Sequence, residues 1–146
     1  MASLLGKYKK FPITLYRLQQ SKEAKLRDMH SQFNKGKRSF DFVLNKDGLV
    51  HPNKTNDFIG PNGMSLRPIG KPLIEIEKSY KYTHIYQIME GAEIPEELIL
   101  VHEYKDHYSL QTSVVCTPLE LNNRLSNFLY KQKSLTKEEF IKLLRV

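Results

Sequence analysis

Apolar positions along this chain alternate in short runs through the first two thirds and take up helical spacing only near the end. FPITLYR (11–17) combines β-branched and aromatic residues and predicts an opening strand, with Pro12 tolerated at its start or edge. QSKEAKLRDMHS (20–31) is rich in helix formers and predicts a short polar helix. SFDFVLN (39–45) sets Phe40, Phe42 and Leu44 on one face, the period of a half-buried strand, and Asp47-Gly48 ends it as a turn. From His51 to Gly70 the chain holds four Asn or Asp, three Gly and three Pro. That is loop chemistry, in which Gly60 and Gly63 are free to adopt positive φ.

Four strand-like runs follow: LIEIE (73–77), YTHIYQIM (82–89), ELILVHEY (97–104) and HYSLQTSVV (107–115), with turns at Ile94-Pro95-Glu96-Glu97 and Lys105-Asp106. Thr117-Pro118-Leu119-Glu120 is a capping box with proline at the first helical position, and Leu121, Leu125, Phe128 and Leu129 continue at helical spacing. A second capping box, Thr136-Lys137-Glu138-Glu139, opens a terminal helix that buries Phe140, Leu143 and Leu144. The pattern predicts one α+β domain over 1–146, with its longest irregular loop at 51–70.

Composition agrees with a folded globule: 146 residues, 40% hydrophobic, enough for one domain with a core that needs no covalent staples. The single cysteine, Cys116, excludes an intrachain disulfide and a multi-Cys metal site, and its apolar TSVVCTP setting suits a buried structural thiol. The opening MASLLGKYKK is too short in apolar residues for a signal peptide, and no run approaches the ~18 apolar residues of a membrane span. A cytoplasmic protein with no membrane partner is therefore expected. Charge changes the picture more. Residues 1–38 hold ten Lys or Arg against Glu23 and Asp28, a segment of +8, so the rest of a chain with net charge +7 sums to −1. Such a segment attracts phosphate, or is simply a solvated face.

Most catalytic motifs are absent. His102-Glu103 and His107 miss the HExxH zinc spacing by one residue, so no metal is expected, and neither a GxSxG elbow nor a phosphate-binding P-loop occurs. Arg17 remains, ending an apolar strand where a guanidinium is expensive unless it meets an anion. The Gly60–Arg67 loop brings backbone amides, Ser65 and Arg67 together, a set suited to phosphate or ribose. His107-Tyr108-Ser109 opens a strand with polar groups on alternate faces. Each also admits a plain structural role: a surface ion pair for Arg17, a turn cap for Ser65, a strand-end histidine at 107.

Taken in order, ITLYR (13–17), the Asp47–Pro52 turn, Gly63-Met64-Ser65, the Glu90–Pro95 turn, HYSLQ (107–111) and LNNRLSNFL (121–129) resemble a toxin family with an ADP-ribosyltransferase-like fold. Its best-known member is a small effector of the bacterial type VI secretion system, and it has fungal relatives. The resemblance spans about residues 11–130. It implies a split β-sandwich with flanking helices and a cleft for NAD as substrate. It implies, too, that Arg17 holds the phosphate or nicotinamide ribose, that Ser65 orients that ribose, and that Gly63, Arg67 and Tyr108 complete the NAD contacts, Tyr108 by stacking on nicotinamide. The catalytic glutamate of most such transferases has no Q/E-x-E counterpart here. HYSLQTS offers His107 and Gln111 instead, beside Glu103 and Asp106, and His107, Ser65 and Gln111 form the candidate catalytic set. The partners implied are an intracellular acceptor and an inhibitory antitoxin in the producing cell. Two other readings stay open: a catalytically inactive binding module on the same fold, and a small basic nucleic-acid-binding protein.

Overall fold

The computed structural model describes residues 2–145. In chain order its elements are β1 (Gly6–Tyr8), β2 (Leu15–Gln19), α1 (Met29–Asn34), β3 (Gly63–Leu66), α2 (Lys71–Ser79) and β4 (His84–Ile88). They continue with β5 (Leu98–Tyr104), β6 (His107–Thr112), α3 (Pro118–Tyr130), β7 (Lys133–Leu135) and α4 (Lys137–Leu144). The strands form two antiparallel sheets, one ordered β1-β5-β6-β3 and the other β2-β4-β7. The α+β expectation holds, and the sheet is split.

Strand alternation decides what each face buries. In the larger sheet Leu98 and Leu100 of β5, Tyr108 and Leu110 of β6, and Met64 and Leu66 of β3 enter one core. The smaller sheet sends Leu15, Tyr86 and Ile88 into the same core, and α3 closes it with Leu121, Leu125, Phe128 and Leu129. Phe128 stacks on Phe11 with ring centroids 5.7 Å apart. On its other face the smaller sheet carries Tyr16, Leu18, Ile85 and Leu135, which pack against Leu73 of α2 and Phe140 of α4.

Both capping boxes form: Thr117 and Thr136 accept from the Glu120 and Glu139 backbones, and each glutamate reaches back to its cap. The backbone N–H of the cap, followed by its hydroxyl partner, holds each glutamate below the usual 4.5. That contribution is present above 4.5 and fades as pH falls through the depressed value. Thr117→Ala is expected to lower stability by about 1 kcal/mol and the melting temperature by about 3 °C, measurable by thermal denaturation.

Several expected elements differ. LIEIE is helical, not extended: Pro72 sits in the first turn of α2, and Leu73 and Ile76 meet the smaller core three residues apart. The helix expected at 20–31 begins only at Met29. Before it the backbone is tied to α3 side chains, Ala24 N–H to Ser126 Oγ at 2.8 Å and Leu26 N–H to Asn122 Oδ1 at 3.0 Å. Residues 39–45 make an isolated bridge between Asp28 and Phe42 rather than a strand. The 51–70 loop ends early, because 63–66 is β3; the opening strand starts at Leu15, and β1 and β7 are additional.

Candidate active site

The two sheets share a core, and among the described residues one backbone bridge joins them. Tyr16 and Arg67 exchange backbone hydrogen bonds of 2.8 and 3.2 Å. In a continuous antiparallel ladder the next such pair would join Leu18 to Ser65. The sheets part there instead, and the Ser65 carbonyl accepts from Arg17 Nη1 at 3.2 Å. Arg17 shares its strand face with Leu15 and Gln19, and its Nε donates to Gln19 Oε1 at 3.1 Å. No carboxylate lies within ion-pair distance of Arg17 or Arg67 among the described residues. Burial lowers both guanidinium pKa values from the ordinary arginine value.

A cleft of about 710 Å³ opens at this split, within the size range of small-molecule sites. Arg17, Lys25, Arg27, Lys37 and Arg67 line it against only Glu23 and Asp41. Both acids are committed. Asp41 is gripped by Arg27 through two guanidinium contacts of 3.0 and 3.2 Å, and Glu23 faces Lys25 at 3.2 Å. The excess is cationic and concentrated at Arg17 and Arg67, so the cleft suits a polyanion with a short span, such as a diphosphate.

Behind Ser65 lies a second row. His107 Nε2 is 3.0 Å from Ser65 Oγ, and His107 Nδ1 is 2.7 Å from Glu103 Oε1. Gln111 Nε2 donates to Glu103 Oε2 at 3.3 Å. A β-bulge creates this cluster: pairing of β5 with β6 shifts between His102 and Tyr104, so Glu103 is the extra residue and both it and Tyr104 reach His107. The ring of Tyr104 stacks on that of His107 at 4.9 Å, and Phe58 packs edge-on against Tyr104. Loop 51–62 is tied over this sheet face by Lys7, whose ammonium donates to the Asn53 and Thr55 carbonyls. Val101, Glu103, Ser109 and Gln111 are consequently all at or below 2% exposure.

A family model described as Tse2 ADP-ribosyltransferase toxin matches residues 13–140. The chain belongs to this family. Tse2 is a type VI secretion effector, and the match favours an ADP-ribosyltransferase toxin over an inert binding module or a nucleic-acid-binding protein. Neither a curated protein nor a solved structure matches the chain. No helix among the described residues is long and apolar enough to cross a membrane.

Within this Tse2-family chain, Arg17, Ser65 and Arg67 line one cleft, and His107 reaches it through Ser65. Gln111 lies one layer further back, on Glu103. Gly63 and Tyr108 are placed differently from the expectation. Gly63 is pressed against β6, where a Cβ would stand 2.4 Å from the Leu110 carbonyl oxygen. Tyr108 turns to the core face, its ring stacked on His102 at 4.0 Å and its hydroxyl pKa raised by burial, so it does not line the cleft. Sequence reasoning passed over Gln19 and the Arg27–Asp41 pair, which long-range packing of 20–42 brings to the cleft. Glu103, offered by the sequence only as a neighbour of His107 and Gln111, is the carboxylate that the structure sets against His107.

Proposed function

We propose that the protein binds NAD in the cleft at the sheet split and transfers its ADP-ribosyl group to an acceptor in a target cell. The observation that supports this reading is the pair of partly buried arginines, Arg17 and Arg67, which have no carboxylate partner among the described residues and lie beside the Ser65 hydroxyl. ADP-ribosyltransferases as a class take NAD as substrate. In the reaction the bond between ribose C1′ and the nicotinamide nitrogen breaks, and its electron pair leaves with neutral nicotinamide. The acceptor's nucleophile then bonds to C1′ and loses a proton. Positive charge develops on the ribose, so groups that fix the ribose and direct negative electrostatic potential at it accelerate cleavage.

Arg17 and Arg67 grip the diphosphate, and Ser65 Oγ holds a ribose hydroxyl with His107 behind it. The basic rim at Lys25 and Lys37 adds to the attraction of the anionic substrate. An active toxin endangers its maker, so an inhibitory protein in the producing cell completes the reading. Nicotinamide release by purified protein, with cell lysate as acceptor source, tests it. Ser65→Ala is expected to lower turnover about 30-fold, the worth of one hydrogen bond made in the transition state, with an unchanged melting temperature. Equal release by wild type and Ser65→Ala would remove Ser65 from the mechanism. No release by the wild type would sink the NAD reading.

A further inference from the structure

Cleavage that builds positive charge on a ribose gains from a nearby negative group, yet the cleft offers none that is free: Asp41 is held by Arg27 and Glu23 by Lys25. A carboxylate with no lysine or arginine partner among the described residues, Glu103, lies one layer behind the Ser65 wall, against His107. Its side chain is 2% exposed, and no lysine or arginine is within ion-pair distance of it among the described residues. A charge so buried is expensive, and an apolar residue would fill a strand position of this kind at lower cost. Two buried atoms, Glu103 Oε1 and His107 Nδ1, lack a well-aligned hydrogen bond to any group, and they face each other at 2.7 Å. Such contacts are commonly bent before substrate arrives and straighten in the reacting complex.

Resting on the NAD reading above, we propose that Glu103 is a positioning residue that acts on the substrate through His107 and Ser65. With a carboxylate at Nδ1, the imidazole keeps its proton on that nitrogen and presents the Nε2 lone pair to Ser65, 3.0 Å away. Ser65 then donates its hydroxyl proton to His107, which leaves the lone pairs of Oγ turned to the cleft to accept from a ribose hydroxyl. The negative charge of Glu103 is thereby felt at the ribose without a carboxylate in the cleft. Gln111, donating to Glu103 Oε2, fixes the carboxylate orientation. His107 is contacted by Glu103 and Tyr104 from β5 and by Ser65 from β3, and among the described residues no lysine or arginine is in ion-pair distance of Glu103.

Two measurements on the full chain decide this. Steady-state nicotinamide release by Glu103→Gln is expected to show kcat lowered on the order of 10- to 100-fold with KM for NAD little changed, because the group acts on the reacting centre and not on substrate grip. Long-range ¹H–¹⁵N correlation of the imidazoles in the wild type is expected to place the His107 proton on Nδ1, a result that needs neither turnover nor a variant. Equal kcat for Glu103→Gln and wild type, or a wild-type His107 protonated on Nε2 alone, overturns the role of Glu103 and leaves the NAD reading standing. No release by the wild type overturns both.

Discussion

Arg17→Met is expected to lower NAD cleavage by orders of magnitude while leaving the melting temperature at or above that of the wild type. The guanidinium lies on the inward strand face, with only neutral partners, Gln19 Oε1 and the Ser65 carbonyl. A cation in that setting is a standing cost to the fold that an anionic ligand would offset. Methionine fills a similar volume without the charge. The Ser65 carbonyl then loses its donor, at about 1 kcal/mol, against which removal of the buried charge gains a comparable amount or more. Function moves the other way. Two charge-assisted contacts to a phosphate are worth about 3–5 kcal/mol together, so kcat/KM should fall by about two to nearly four orders of magnitude. Arg17→Lys keeps the charge but not the planar fork, and is expected to recover only part of the loss. Differential scanning calorimetry beside the nicotinamide assay checks both halves. A large fall in melting temperature would make Arg17 a structural residue, and full activity would take it out of the cleft chemistry.

What could be read from the chain before folding depended on whether a signal was local. The two capping boxes and the β5–β6 hairpin formed where their residues indicated, because a threonine, a proline or an alternating run acts on its immediate neighbours. LIEIE misled because two periodicities coexist in it. Alternation at Ile74 and Ile76 suggested a strand, and Pro72 with Leu73 and Ile76 at helical spacing decided the helix. Phe40, Phe42 and Leu44 alternate as a strand would, yet the Asp41 and Phe42 N–H groups are both taken by the Arg27 carbonyl, so no ladder forms. β1 and β7 are three-residue edge strands whose partners are distant in sequence. At the site, Arg17 stood out because a charge inside an apolar strand is locally anomalous. Tyr108 was taken for a ligand contact on the resemblance and its aromatic ring, and strand alternation alone does not say which face is the core. Glu103 was obscured by the bulge, which shifts the pairing register by one residue and turns two consecutive side chains toward His107.

Gly63→Ala is expected to cause the largest loss of stability, about 3 kcal/mol and on the order of 10 °C in melting temperature. The backbone of Gly63 is not in the left-handed region, so the glycine serves close approach and not a turn. An added Cβ would stand 2.4 Å from the Leu110 carbonyl oxygen and 2.9 Å from both Ser109 Oγ and Gln111 Cγ. Serine and glutamine side chains can rotate away, but the Leu110 carbonyl belongs to the β6 backbone. Relief therefore requires β3 to lift from β6 at the Gly63–Gln111 register pair. Ser65 is two residues along the same strand, so lifting β3 also lengthens its 3.0 Å contact with His107. The variant should lose nicotinamide release even at temperatures where it remains folded, with kcat falling more than KM rises. A glycine that touched only ligand would behave in the opposite way, keeping its melting temperature and losing NAD affinity. Denaturation and turnover measured on the same Gly63→Ala preparation thus separate a strand-packing glycine, which sets the position of Ser65, from a glycine that lines the binding site.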